Sequence, residues 1–281
     1  MKILISDVLL KDKLHSDWKE GWEFYYAFKN LGYDCEIAGK NCPIPETEIP
    51  NIANEFDLII ITENYPNYSG WSWWNWGEIT TKKLFWAIDT HLVSYNNWIQ
   101  RDRIDYIAFN NPDDMKKYNL PNSFWMPYAS SEKHYFKKYT TEKIYDIVFI
   151  GGMTEDRKRI CDKFNIKHIN AFGEDYVREM QSAKICFNKS MSYDINAKYF
   201  EILGSGSFML TNFNENFFSY MDRNPFIEKM FYYDDDDLKS KIDYYLSHDD
   251  EREEIASKAH KYILENHTYE SRAKLIISKI F

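Results

Sequence analysis

Asp89-Thr90-His91 follows the apolar run Lys83–Ile88, so an acid and an imidazole stand together just past a predicted strand. That pairing suits a general base that deprotonates an acceptor hydroxyl, and it makes Asp89 and His91 the catalytic candidates. Read as plain structure, the triplet is a helix N-cap at Asp89 with His91 as a polar neighbour. His15, in the loop after the first predicted strand, is another candidate base. Trp71, Trp73, Trp74 and Trp76, bounded by Gly70 and Gly77, suit stacking on a sugar or a base and equally suit packing of an interface. The run Asp234 to Asp237 directly precedes an amphipathic stretch. Acids at a helix N-terminus are stabilising with no ion bound, so this run is assigned to the helix and no metal site is expected.

These groups sit in a chain of 281 residues, long for one core and comfortable for two domains of about 140 residues each. Apolar residues make up 44%, which allows a packed interior. Aromatics reach 18% with nine Trp, an excess that points to surfaces for flat ligands. A net charge of −9 repels polyanions at long range, so generic nucleic-acid binding is disfavoured against a small-molecule ligand. Cys35, Cys42, Cys161 and Cys186 show neither CxxC spacing nor a His at ligand spacing. Reduced thiols in a cytoplasmic protein are expected. The run Met1–Asp7 is too short for a signal peptide, and no stretch approaches the roughly 20 apolar residues of a membrane span. A soluble protein is expected, its oligomeric state left open.

The elements that must position the candidates alternate in kind. Lys2–Ser6, Asp34–Ala38, Asp57–Thr62, Lys83–Ile88 and Asp105–Phe109 read as strands, with a helix over Lys19–Asn30 stopped at Gly32. The pattern restarts at Asp146-Ile147-Val148-Phe149-Ile150-Gly151-Gly152, after the polar stretch Ser130–Lys143. Helices over 156–164, 176–183 and 197–203 then alternate with strands over 167–171, 185–188 and 207–211. Helices near 236–247, 250–265 and from 268 close the chain. This predicts an α/β protein of two Rossmann-like domains with parallel sheets facing a cleft. Residues 1–141 are expected to be the acceptor side and 142–281 the donor-binding side.

The segment Asn188…Ile195-Asn196-Ala197-Lys198-Tyr199-Phe200-Glu201-Ile202-Leu203-Gly204-Ser205-Gly206 resembles the donor-site signature of GT-B glycosyltransferases, nearest to the CgeB-like branch. His267-Thr268-Tyr269-Glu270-Ser271-Arg272 is similar to a His-Thr-Tyr-x-x-Arg segment of that branch. Val148–Gly152 with Arg157 resembles the opening of the donor domain, and Ala87–His91 and Trp125–Ala129 add thinner likeness. The resemblance implies a transferase that takes a sugar from a nucleoside-diphosphate sugar without a divalent metal or other cofactor. It assigns Glu201 to the ribose diol, since a carboxylate accepts two hydrogen bonds. Lys198 and Arg157 are the cations for the leaving diphosphate, with Arg159 as substitute for Arg157. Gly151 and Gly152 offer backbone N–H groups to the same phosphates.

Two positions depart from the family's pattern. Lys198 stands where an Arg is usual, keeping the charge and losing the bidentate fork. Tyr193 and Asp194 stand where related retaining families carry a second Glu; Asp194 is the candidate for that duty, and the stereochemical outcome stays open.

A UDP-sugar is the working choice of donor. Glycan, protein, small metabolite and a flipped hydroxymethylated DNA base all remain as acceptors, with DNA less favoured by the acidic balance. Two rivals use the same architecture, a sugar-nucleotide epimerase and a non-catalytic nucleotide or sugar binder. A dinucleotide-dependent enzyme is disfavoured, because Ser6-Asp7-Val8-Leu9-Leu10 carries no Gly after the first strand.

Overall fold

A computed structural model describes residues 1–9, 17–62, 78–88, 104–191 and 193–281. The expectations placed on His15, Asp89, His91 and the Trp71–Trp76 segment lie outside the described residues. The chain divides into two compact units, Met1–Pro127 with Tyr269–Phe281, and Tyr128–Thr268.

In the first unit the described elements are β1 (Lys2–Val8), α1 (Glu20–Asn30), β2 (Asp34–Lys40), β3 (Ile44–Pro45), α2 (Ile49–Ile52), β4 (Leu58–Ile61), β5 (Lys82–Ala87), β6 (Tyr106–Phe109), α3 (Pro112–Tyr118) and β7 (Ser123–Trp125). The strands pair in parallel in the order β3-β2-β1-β4-β5-β6-β7. Because successive side chains face opposite ways, Leu4, Ile59, Ile61, Phe85, Ala87, Ile107 and Phe109 build one core face. The other face carries Trp86, whose ring meets Phe24 of α1 edge-on at 5.3 Å and whose indole N–H donates to the Met126 carbonyl at 2.9 Å. Both faces are buried, as the continuous apolar runs require.

The second unit holds β8 (Tyr145–Ile150), α4 (Glu155–Phe164), β9 (Lys167–Ile169), α5 (Gly173–Gln181), β10 (Ala183–Asn188), α6 (Ala197–Gly204), β11 (Met209–Asn212), α7 (Glu215–Tyr220), α8 (Pro225–Glu228), β12 (Phe231–Tyr232), α9 (Asp235–Ser247) and α10 (Asp249–Asn266). Its sheet is parallel in the order β12-β11-β10-β8-β9. The chain runs outward from β8 to β9, then returns past β8 to β10, so the switch point lies between β8 and β10. Phe149, Phe187, Phe200, Phe217 and Phe231 are fully buried around it. The two sheets are the α/β architecture that the alternating runs predict.

The last helix, α11 (Tyr269–Ile280), packs on α1 of the first unit although it follows α10 directly. The division at 141/142 places this helix with the donor side. Apolar packing returns it to the first unit, with Tyr269 edge-on to Phe24 at 5.2 Å and Ala273 and Ile276 fully buried.

Candidate donor site at the switch point of the second unit

In an open α/β sheet, adjacent strands whose connections run to opposite sides leave a crevice at their carboxyl ends. Here that place is set by β8 and β10. The chain leaves β8 through Gly151-Gly152 and enters α4, where the Thr154 hydroxyl accepts from the Arg157 N–H at 3.3 Å. It leaves β10 at Asn188 and enters α6 after Asn196. Gly151, Gly152, Arg157, Asp194, Lys198 and Glu201 all belong to these two connections or the first two turns of their helices.

Gly151 and Lys198 are in direct contact. The Gly151 backbone has φ +142°, and a β-carbon built there would stand 2.6 Å from Lys198 Cε and 2.7 Å from Nζ. Glycine is needed twice over, for the backbone angle and for the lysine that crosses it. Gly152 faces open space.

Lys198 and Glu201 lie one turn apart on α6 and share a hydroxyl. Tyr176, on α5, donates to Glu201 Oε2 at 2.6 Å and accepts from Lys198 Nζ at 3.2 Å. Tyr135 donates to the other oxygen, Glu201 Oε1, at 3.0 Å. Burial lowers the Lys198 pKa, opposed by Glu201 and reinforced by Arg157. Burial, and then the Glu201 carboxylate, raise the Tyr176 hydroxyl well above the usual phenol range. The Tyr176 hydroxyl therefore stays protonated and donates to Glu201, and Lys198 meets that carboxylate through the phenol oxygen.

Arg157, expected as a second cation for the diphosphate, is held by backbone carbonyls of both connections. Its Nε and Nη2 donate to the Lys189 carbonyl at 3.1 and 2.8 Å, and its Nη1 to the Gly152 carbonyl at 2.8 Å. The guanidinium thus ties the connection after β8 to the one after β10, its plane 5.4 Å from the Phe149 ring. Burial lowers its pKa and the Asp194 carboxylate raises it again. Asp194 is buried in the second connection, where its carbonyl accepts from Asn214 Nδ2 at 2.9 Å and its N–H donates to Met191. Arg159 points elsewhere, paired with Asp235 at 2.9 Å.

Several residues escaped the sequence reading. Tyr135 and Tyr176 are two of 22 tyrosines, and nothing local separates them from the rest. His168 of β9 stacks on Phe149 and hydrogen-bonds the Gly151 carbonyl at 2.9 Å. Phe172, between β9 and α5, is 62% exposed.

The acidic run is structural. Asp234 caps α9 by accepting from the Asp237 N–H at 2.8 Å, and Asp237 accepts from the Tyr233 N–H at 3.0 Å. Asp235 binds Lys163 at 2.7 Å as well as Arg159. Among the described residues no three His, Cys, Asp or Glu side chains converge to hold a metal ion. His267 is buried against Phe200, Tyr220 and Tyr262, and its carbonyl accepts from the Ser130 N–H at 2.9 Å.

Two parallel sheets in separate units match the GT-B fold of solved glycosyltransferase structures. The chain matches an α-glucosyltransferase in complex with UDP and a 13-mer DNA at TM-score 0.72 and 12% identity, covering 99% of each chain. It matches T4 phage β-glucosyltransferase at TM-score 0.66 and 13% identity, over 99% of this chain and 97% of that one. Sucrose-phosphate synthase from Thermosynechococcus elongatus follows at TM-score 0.66 and 11% identity, over 99% and 97%. Residues 143–278 match the family described as glycosyl transferase-like. Those residues are similar to a glycosyltransferase domain, and the whole chain shares the fold of the solved glycosyltransferases. No curated protein sequence matches the chain. Among the described residues no helix is long and apolar enough to cross a membrane.

Proposed function

We propose that the chain transfers a sugar from a nucleoside-diphosphate sugar, held at the switch point of the second unit, to a hydroxyl acceptor. The observation that carries this is the Lys198–Tyr176–Glu201 arrangement beside Gly151. Glu201 accepts the ribose diol, and Lys198 takes the charge that grows on the diphosphate as the sugar departs. Gly151 and Gly152 bring backbone N–H groups to the same phosphates, with Arg157 and Asp194 fixing the shape of the two connections. Cations and amides suffice to neutralise the leaving group, which supports a reaction without a divalent metal. UDP-glucose is the donor to test first, because solved neighbours include T4 phage β-glucosyltransferase with its UDP-glucose substrate.

Asp89 or His91 is the base for the acceptor hydroxyl. Neighbouring structures include a DNA modifying enzyme and a complex with a 13-mer DNA, so a hydroxyl on a modified DNA base leads the acceptors. The net charge of −9 works against a polyanion at a distance, so DNA assays belong at low salt. Four free thiols fit a reducing, cytoplasmic setting.

The experiment is a thermal-shift screen against UDP, GDP, CDP, ADP and dTDP and their sugars, with and without metal. A ligand at 100 times its Kd adds about 2.7 kcal/mol. A shift with one diphosphate family, lost in Glu201→Ala and Lys198→Ala, supports the reading, and no shift with any of them ends it. A non-catalytic binder would keep its full set of properties in Asp89→Asn and His91→Ala, whereas the transferase loses turnover there and keeps donor affinity.

A further inference from the structure

We infer that Tyr176, assisted by Tyr135, is a positioning residue that holds Lys198 and Glu201 apart and aims the carboxylate at the ribose; this rests on the donor-site reading above. A lysine and a glutamate three residues apart on one helix face lie within reach of each other. Yet the two form no direct ion pair: the Tyr176 hydroxyl stands between them, donating to Glu201 Oε2 at 2.6 Å and accepting from Lys198 Nζ at 3.2 Å. A phenol has one proton to give, so the direction of this relay is fixed by the ammonium on one side and the carboxylate on the other.

Tyr135 completes the arrangement from another segment, donating to Oε1 at 3.0 Å. Its ring meets that of Tyr176 at 6.4 Å with the planes 80° apart, and both tyrosines are at least nine-tenths buried. A carboxylate has about four lone-pair sites, and the two tyrosines occupy one on each oxygen. The remaining pair is left, in fixed orientation, for two adjacent hydroxyls. Holding a flexible glutamate in its binding rotamer before the ligand arrives removes an ordering cost from binding.

Without the Tyr176 hydroxyl, Lys198 and Glu201 are free to close on each other. The two groups meant for diphosphate and ribose would then satisfy one another. Tyr176→Phe is thus expected to weaken recognition of the ribose and of the diphosphate together. Tyr135→Phe weakens ribose recognition alone.

The test is calorimetric binding of UDP and of 2′,3′-dideoxy-UDP to the full chain and its variants. Two hydrogen bonds to a charged acceptor give the wild type a preference for UDP of about tenfold or more. In Tyr176→Phe that preference is expected to fall to about twofold, and UDP affinity itself to fall about tenfold, with the empty protein's Tm near wild type. If Tyr176→Phe does not fold, Tyr135→Phe decides, and its preference is expected to fall by at least about threefold. An undiminished preference in whichever variant folds overturns the positioning role while leaving Glu201 as the ribose acceptor. A wild type with no preference, and Glu201→Ala with none to lose, removes the donor-site reading and this inference with it.

Discussion

Lys198 crosses the backbone of Gly151 so closely that one methyl group on the glycine would stand 2.6 Å from its Cε. The strand end after β8 and the helix start after β10 are therefore fitted to each other without a spare atom. Gly151→Ala forces the lysine aside and also places a side chain at φ +142°, where backbone strain costs on the order of 1–3 kcal/mol. UDP affinity is expected to fall tenfold or more, along with a drop in Tm. Gly152→Ala is the control, since a β-carbon there meets nothing within 4 Å. Its Tm should match wild type by differential scanning fluorimetry. Equal Tm losses in the two variants would contradict the contact.

The lowered pKa of Lys198 gives donor binding a particular pH dependence. Its folded value lies below the ordinary 10.5 because of burial, opposed by Glu201. In the empty protein the ammonium therefore costs stability below that folded value, and the cost fades as pH rises toward 10.5. A bound diphosphate favours the charged form. Affinity for UDP should therefore decline as pH rises through Lys198's folded pKa, about tenfold per unit beyond it. Lys198→Arg carries the affinity to higher pH, because a guanidinium stays charged. Titration calorimetry from pH 7 to 10 on both proteins separates this from the nucleotide's own ionisation. Superimposable profiles would clear Lys198 of the effect.

The acidic run 234–237 yields a prediction about stability alone. Hydrogen bonds from Arg159 and Lys163 bring Asp235 down to about 2. A depressed carboxyl contributes stability above its unfolded pKa and loses it as pH falls through the folded one. Its window here runs from about pH 4 down to about pH 2. Asp235→Asn should lower stability at pH 7 by no more than about 1 kcal/mol, as exposed pairs do, and the gap should close across that window. Asp234→Ala removes a helix N-cap and costs about 1 kcal/mol. Chemical denaturation at pH 7 and at low pH checks both. A gap that widens toward acid pH would refute the assigned pairing.

What the sequence made legible follows physical range. Leu58–Ile61 and Ile147–Ile150 were readable because a strand segment buried on both faces must be apolar throughout. Lys198 and Glu201 were readable because one helical turn brings them together within the local sequence. Ser123–Trp125 and Phe231–Tyr232 are too short to show a period, and their pairing with β6 and β11 makes them strands. Helix α3 was missed although Asn111 caps it and Pro112 opens it, because its exposed lysines mask the apolar face. Tyr135 and Tyr176 reach Glu201 from 66 and 25 residues away, a relationship that no local pattern encodes.

The last helix shows the same limit and carries the final prediction. His267-Thr268-Tyr269-Glu270-Ser271-Arg272 drew attention as a possible part of the donor half, but from Tyr269 onward the chain belongs to the first unit. Arg272 is 3% exposed, and its Nε donates to the Pro127 carbonyl at 3.0 Å, at the residue where the first unit ends. A buried guanidinium holding that carbonyl pins the returning helix to the point where the chain departs. Arg272→Ala leaves the carbonyl without this donor and opens a void, for an expected loss of about 2–4 kcal/mol. Arg272→Lys recovers only part of it, since an ammonium lacks the planar fork. Lys198, Glu201 and their tyrosines all lie in the second unit, so UDP affinity measured on the folded fraction should stay within about twofold of wild type. Denaturant midpoints and UDP calorimetry on the same preparations separate the two effects. A large fall in UDP affinity with unchanged stability would instead make Arg272 part of donor recognition, which its bond to Pro127 argues against.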